Sequence, residues 1–214
     1  MSEPHAPDAG VPGEVVDVPT TLGPARAYVR HGDAGRLVLS HGAGGGVGAK
    51  DLLAVSAAAH RTGWAVALVE QPWRVAGRRV AAPPPRLDEA WLQIVPGLMK
   101  GVLGGRGPLV QGGRSAGARV ACRTAREVGA AAVLCLAFPL HPPGKPERSR
   151  AGELAGVPAT LVVQGHRDPF GSPDEVRAVA PSAVHVVGVE GDHGLSRDVP
   201  AVTDAVLEWL PTLS

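Results

Sequence analysis

Short apolar runs recur along this chain, and their spacing changes repeatedly from that of a strand to that of a helix. Two half-apolar runs, 14–18 and 25–29, predict an antiparallel hairpin through a turn at 21–24. Continuous apolar runs predict buried strands at 36–40, 64–69, 108–111, 131–137, 159–163 and 184–187. Helical spacing predicts helices at 51–61, 87–95, 116–128, 173–178 and 200–210. Pro96 should end or kink the second helix, because proline has no amide N–H.

Strands that alternate with helices predict an α/β fold, in which a doubly wound, mostly parallel sheet carries helices on both faces. The chain has only 2 Phe and 1 Tyr, so its core must consist of Val, Leu and Ala, which suits a covered parallel sheet. Residues 1–12 are rich in Pro, Gly, Ala and Asp and predict a disordered tail, leaving 13–214 as a single domain. The connection 74–86 is long enough to overhang a site, but no cap domain fits in this length.

Composition gives no support to several classes of partner. The formal net charge of +1 gives no reason to expect binding to nucleic acid or to a membrane surface. No apolar stretch could span a bilayer, and the first residues do not resemble a signal peptide, so we expect a cytoplasmic protein. Cys122 and Cys135 fall inside a predicted helix and strand and indicate buried thiols rather than a disulfide or a metal pair. No histidine spacing indicates a metal site, and we expect no metal and no cofactor.

The segment Gly112–Gly117 follows a predicted strand and opens a predicted helix. A serine between Gly113 and Gly117 at such a turn is typical of a nucleophile elbow, in which the tight turn lifts the Ser115 hydroxyl off the sheet. The motif carries weight only if a base and an acid follow it in the right order.

Both partners follow at the ends of later strands. Asp168 comes after the strand 159–163, and His193 comes after the strand that ends near residue 189. Because the carboxyl ends of parallel strands meet at one edge of a sheet, we expect Ser115, Asp168 and His193 to lie together there as nucleophile, orienting acid and base. The alternative for Asp168 is a turn or helix cap, although Asp174 is the better candidate to cap the short helix. Asp192 should point away from the site.

A glycine-rich loop, His41–Gly46, follows the strand 36–40. It lacks the spacing of a phosphate-binding loop, and we expect it to place the N–H of Ala43 beside that of Ala116 as an oxyanion hole. His41 should hold this loop in place rather than act as a base. Further pocket candidates are Gly42, Gly44, Trp73, Arg74, Arg78 and Arg114. For Arg114 two readings stay open, a contact with an acidic group of the substrate and an ion pair with a surface carboxylate.

These motifs resemble those of the alpha/beta hydrolase superfamily over nearly the whole chain from about residue 14. The segments that carry the resemblance are His41–Gly45, Gly113–Gly117, Gly165–Gly171 and Gly191–His193. Residues 70–79 and Gly112–Ser115 also resemble a small lidless branch that includes the testis-expressed hydrolase-like protein and a scaffold subunit of a histone-acetyltransferase complex. Dienelactone hydrolases are similar in size and architecture, but they have a cysteine where this chain has Ser115. Haloalkane dehalogenases and epoxide hydrolases have an aspartate there.

The sequence therefore predicts a serine hydrolase of the carboxylesterase type that cleaves a small ester or related acyl compound through an acyl-enzyme. Its expected partner is a small-molecule acyl substrate, and the sequence leaves the oligomeric state open. The alternative is a binding or scaffold module that keeps the hydrolase fold but has weak turnover. A peptidase is the third and least favoured reading.

Overall fold

Eight strands form one sheet in the computed structural model, which describes residues 6–213. The strands are β1 (Glu14–Val18), β2 (Ala25–Arg30), β3 (Arg36–Ser40), β4 (Ala65–Glu70), β5 (Leu109–Arg114), β6 (Ala132–Leu136), β7 (Ala159–Gly165) and β8 (Val184–Val189). The helices are α1 (Lys50–Arg61), α2 (Pro72–Val75), α3 (Pro84–Lys100), α4 (Ala116–Thr124), α5 (Pro173–Val179) and α6 (Val199–Trp209).

The sheet has the order β1-β2-β4-β3-β5-β6-β7-β8. β1 pairs antiparallel with β2, and β2 pairs antiparallel with β4, whereas all the other pairs are parallel. The predicted hairpin and the predicted doubly wound, mostly parallel sheet are thus confirmed. Because β3, β5, β7 and β8 run in the same direction, the loops that follow them meet at one edge.

Alternation along the central strands supplies an apolar layer on each face of the sheet. Leu37 and Leu39 of β3 join the buried cluster that includes residues of α1 and α6, whereas Val38 between them packs in a cluster with residues of α3. The third apolar cluster joins α4 to β6, β7 and β8. Helices therefore cover both faces, and the sheet edge with the polar loops stays free to form a site.

Two helices differ from their predictions. α3 continues through Pro96 to Lys100, so of the two predicted effects of this proline, an end of the helix or a kink, the end is wrong. Ile94, Val95 and Leu98 around the proline are buried, and their burial offsets the hydrogen bond that proline cannot make. α4 is shorter than predicted: it ends at Thr124 and is followed by turns.

Part of the predicted N-terminal tail packs on the domain. Val11 is buried in the cluster that covers one face of the sheet, and the Asp8 N–H donates to the Tyr28 hydroxyl at 2.6 Å. The burial of one apolar side chain and this hydrogen bond offset the loss of chain entropy here. Residues 1–5 of the predicted tail lie outside the described residues.

The cap of α5 is Ser172 rather than Asp174. The Ser172 hydroxyl accepts from the Glu175 N–H at 3.3 Å, and the Glu175 carboxylate accepts from the Ser172 N–H at 2.8 Å, which together form a capping box. Asp174 instead pairs with Arg177 on the surface.

The two cysteines are both buried and free, with their Sγ atoms 3.4 Å apart. Within residues 6–213, no helix has the length and apolar character needed to cross a membrane.

Candidate active site

Ser115 lies at the sharp turn between β5 and α4. Its φ of 53° and ψ of −109° fall in a region that L-residues rarely adopt, and this conformation turns the side chain away from the strand. The turn also brings the chain against β3: a Cβ at Gly113 would lie 2.3 Å from the Ser40 carbonyl oxygen, and one at Gly117 would lie 2.6 Å from the same atom. Both glycines are therefore required by close backbone approach, as the elbow motif predicts.

A continuous chain of hydrogen bonds joins Ser115, His193 and Asp168. Nδ1 of His193 lies 2.8 Å from Oδ2 of Asp168, and Nε2 of His193 lies 2.8 Å from Oγ of Ser115. Because a carboxylate only accepts, Nδ1 carries the proton and Nε2 is left to accept from the serine hydroxyl. The loops after β5, β7 and β8 thus bring together three residues that are far apart in sequence.

Two hydrogen-bond donors that the sequence did not mark, Gln164 and Phe170, hold the Asp168 carboxylate in place. The side-chain amide of Gln164, on β7, donates to Oδ2 of Asp168 at 2.9 Å and to the Gly171 carbonyl at 2.7 Å. The Phe170 N–H donates to Oδ1 at 2.8 Å, and the Phe170 ring packs on the His193 imidazole with centroids 4.3 Å apart. A glutamine inside an otherwise apolar strand was the one available signal, because a buried amide needs partners.

The residues expected to form the oxyanion hole border the cavity in front of Ser115. This cavity has a volume of about 420 Å³, and the residues that line it include Gly42, Ala43, Gly44 and Ala116. Ala116 is the first residue of α4, so its N–H has no carbonyl partner within the helix and is available to a bound oxygen. A Cβ at Gly42 would lie 3.4 Å from the Cβ of Ser115, which shows how closely the loop approaches the serine.

His41 is a buried residue that fixes this loop. Its Nδ1 donates to the Gly42 carbonyl at 2.8 Å, its Nε2 accepts from the Gln71 N–H at 3.3 Å, and its ring meets Trp73 edge-on at 5.4 Å. Burial lowers the pKa of His41 to about 4, so the ring is neutral at pH 7. Both ring nitrogens are engaged, and neither is left to act as a base.

Arg114 lines the cavity but has an internal partner. Its Nε lies 3.0 Å from the Oδ2 of Asp51, a residue of α1 that is buried, and its Nη2 donates to the His193 carbonyl at 2.8 Å. Burial raises the pKa of Asp51, while the Arg114 charge acts in the opposite direction. The expectation of a surface carboxylate is therefore wrong in one respect, since the carboxylate lies in the interior.

Two further arginines, Arg119 and Arg150, line the same cavity together with Pro139 and Phe170. Sequence reasoning missed both of them, because Arg119 lies inside α4 and Arg150 lies in the long connection between β6 and β7, where no motif marks them.

The remaining pocket candidates lie elsewhere. Trp73 and Arg78 line a second cavity of about 430 Å³, together with residues such as Val80 and Leu87. Arg74 packs beside Gly46, with its Nε buried. None of the three lines the cavity of Ser115.

Comparison with known protein families gives a match over most of the chain. The family model for an alpha/beta hydrolase domain matches residues 33–204. This range contains the glycine-rich loop, the elbow and the loops of Asp168 and His193. The comparison with curated proteins found no match.

Solved structures with the same fold cover nearly the whole chain. A lidless a/b serine hydrolase from Xanthomonas campestris is 18% identical, has a TM-score of 0.73, and covers 96% of this chain and 99% of its own. An alpha-beta serine hydrolase homologue from Coxiella burnetii is 15% identical, has a TM-score of 0.77, and covers 94% and 100%. Est1E from Butyrivibrio proteoclasticus, with ferulic acid bound, is 14% identical, has a TM-score of 0.74, and covers 92% and 98%. At these identities the likeness shows the fold, here without a cap domain.

Proposed function

This chain belongs to the alpha/beta hydrolase domain family, and we propose that it is a serine hydrolase that cleaves a small ester through an acyl-enzyme. The observation that carries the proposal is the hydrogen-bonded chain from Asp168 through His193 to the strained Ser115. A surface serine would need neither the rare backbone conformation nor a histidine oriented by a buried carboxylate.

The proposed reaction follows from this geometry. Oγ of Ser115 attacks the ester carbonyl carbon, and its proton passes to Nε2 of His193. The N–H groups of Ala43 and Ala116 stabilise the oxyanion of the tetrahedral intermediate. The bond to the alcohol oxygen then breaks, and His193 returns the proton to the leaving alcohol. Water activated by His193 hydrolyses the acyl-enzyme and frees Ser115, while Asp168 keeps the imidazole in the required tautomer throughout.

The size and openness of the site favour small substrates. The cavity of about 420 Å³ has room for a small acyl or aryl ester, and no cap domain covers it. A bound small aromatic acid in the related fold of Est1E is compatible with this class of substrate.

The rival proposal is a binding or scaffold module of the small lidless branch, in which the hydrolase fold is kept but turnover is weak. The continuous hydrogen bonds of Ser115 count against it, because a module without turnover does not require them. A peptidase is disfavoured because one domain holds the site, and we see no second domain among residues 6–213 to position a peptide.

The test is fluorophosphonate labelling of the wild type beside Ser115→Ala, with turnover of p-nitrophenyl acetate and butyrate measured on the same samples. We expect labelling and turnover in the wild type and neither in Ser115→Ala. Ser196→Ala is the matched control, because it removes an exposed hydroxyl from the loop that carries His193. A folded wild-type protein that is neither labelled nor active would favour the scaffold module.

A further inference from the structure

The cavity of Ser115 has a marked charge asymmetry. Among the described residues that line it are three arginines, Arg114, Arg119 and Arg150, and no carboxylate. Such a cavity attracts an anionic ligand only if at least one of the three guanidinium groups has no carboxylate partner within the protein. The partners of the three guanidinium groups therefore decide the question.

Two of the three arginines are neutralised within the protein. Arg114 pairs with the buried Asp51. Arg119 forms a two-point pair with Glu153, its Nε lying 2.8 Å and its Nη2 2.5 Å from the two carboxylate oxygens. Glu153 is also 3.2 Å from Nη1 of Arg123, so a single carboxylate serves two guanidinium groups.

Arg150 has no such partner. Within residues 6–213 its guanidinium makes one hydrogen bond, from Nη1 to the Pro139 carbonyl at 2.8 Å, and no ion pair. Burial and the neighbouring Arg119 lower the pKa of Arg150, while Glu153 attracts it only from beyond ion-pair distance. The Arg150 side chain thus keeps its charge without a carboxylate partner among the described residues, and most of its donors are unused there.

Arg150 is anchored both at its backbone and at its guanidinium, whose Nη1 donates to the Pro139 carbonyl. The Arg150 N–H donates to the Leu140 carbonyl at 2.7 Å, and its carbonyl accepts from the Glu153 N–H at 2.9 Å. A guanidinium held in this way loses less entropy when it binds a ligand, and its planar donors match the two oxygens of a carboxylate.

We infer that Arg150 binds an anionic group of the substrate, so that the enzyme prefers esters that carry a carboxylate over matched neutral esters. The inference rests on the proposed function and names the substrate class of the same site. Arg150, rather than Arg114, is the residue assigned to contact an acidic group of the substrate, because Arg114 already forms an ion pair with Asp51.

The experiment measures kcat/KM for two pairs of esters, each matched in shape and differing in charge. One pair has the anion on the alcohol side, as 4-acetoxybenzoate against 4-acetoxybenzamide. The other has it on the acyl side, as 4-nitrophenyl hydrogen adipate against its terminal amide. We expect the wild type to prefer the anion roughly tenfold in at least one pair, and Arg150→Gln to lose that preference.

Two further variants separate a direct contact from a general charge effect. Arg148→Gln removes an exposed neighbouring charge that acts on Arg150 but does not line the cavity, and it should keep most of the preference. Arg150→Lys keeps the charge without the planar pair of donors and should retain only part of it. The inference is overturned if the wild type shows no preference in either pair, if the preference survives in Arg150→Gln, or if Arg148→Gln loses as much.

A binding measurement keeps this result separate from the fate of the proposed function. Calorimetry with the unreactive ligands 4-acetamidobenzoate and 4-acetamidobenzamide needs no turnover. If no ester is cleaved but the benzoate binds roughly tenfold more tightly in an Arg150-dependent way, the hydrolase proposal fails and the anion site stands. Equal binding of the two ligands would overturn the anion site, whether or not esters are cleaved.

Discussion

Two cavities of nearly equal volume, about 420 and 430 Å³, differ in the residues that line them: Ser115 and His193 line the first, whereas Trp73 and Arg78 line the second. The cavity of Ser115 is backed by buried acids, since Asp168 lies behind His193 and Asp51 lies behind Arg114. The cavity of Trp73 is lined largely by apolar residues and by exposed arginines.

This difference shows that volume does not identify a reaction site in this protein. What distinguishes the cavity of Ser115 is that buried acids hold its polar side chains, which fixes the tautomer of His193 and the orientation of Arg114 before a substrate binds. No such pre-organised catalytic group is found among the residues that line the cavity of Trp73.

Asp168→Asn should remove most of the activity of the Ser115 cavity. An amide in place of the carboxylate can donate to Nδ1 of His193, which favours the tautomer that cannot accept the serine proton. A loss of kcat of about 10⁴-fold on p-nitrophenyl butyrate is expected. Asp192→Asn is the matched control, because Asp192 is an exposed acid beside His193 and its carboxylate accepts from the Gly194 N–H. Similar losses in both variants would contradict the role proposed for Asp168.

The parts of this site that local sequence could predict are those set by strand ends. Ser115, Asp168 and His193 each follow a strand within a few residues, so the direction of the strands was enough to predict that they meet. The fold was predictable for the same reason, because apolar runs and turn residues are local signals. The sequence predicted that β5 ends at residue 111, whereas the strand continues to Arg114. Gly112 and Gly113 weaken the apolar pattern of a strand, yet both pair with β3 and β6 in the sheet.

Pairings between distant residues could not be predicted. Arg114 has a position in the elbow motif, but its partner Asp51 is known only once α1 packs on the face of the sheet. The lack of an acidic partner for Arg150 could not be predicted either, because it depends on the pairing of Glu153 with Arg119 and Arg123. Pro96 shows the converse case, in which tertiary packing overrides a local signal that favours the end of a helix.

Arg114→Gln should destabilise the protein by roughly 3 kcal/mol, because it leaves Asp51 buried without an opposite charge. Urea unfolding at pH 7 measures the loss. The double variant Arg114→Gln with Asp51→Asn should recover more than half of it, since an amide pair needs no charge compensation. Additive losses in the double variant would show that the two side chains do not interact.

The stability of the protein should depend on His41 below pH 7. Folding lowers the pKa of His41 from 6.5 to about 4, so between these values the unfolded chain binds more protons than the folded one. Stability therefore falls as the pH decreases through this window, by roughly 2 kcal/mol between pH 7 and pH 5 from this residue alone. Urea unfolding at both pH values measures the change.

The variant His41→Gln isolates this contribution, because all other titrating groups remain. It should be less stable than the wild type at pH 7, since it loses the contacts with Gly42 and Trp73, but its stability should fall less on acidification. An equal fall in both proteins would mean that His41 titrates in the folded state as it does in the unfolded chain.

The smallest effect is expected in the cavity of Trp73, where Arg78→Ala should change kcat/KM for p-nitrophenyl acetate less than about twofold. Arg78 is exposed and lines this cavity but not that of Ser115, so a small ester at Ser115 does not reach it. Steady-state kinetics with acetate and decanoate esters test this, because the long acyl chain reaches much further from Ser115 than the acetyl group does. A large loss with the acetate ester would show that Arg78 acts on the site of Ser115 and that the two cavities work as one.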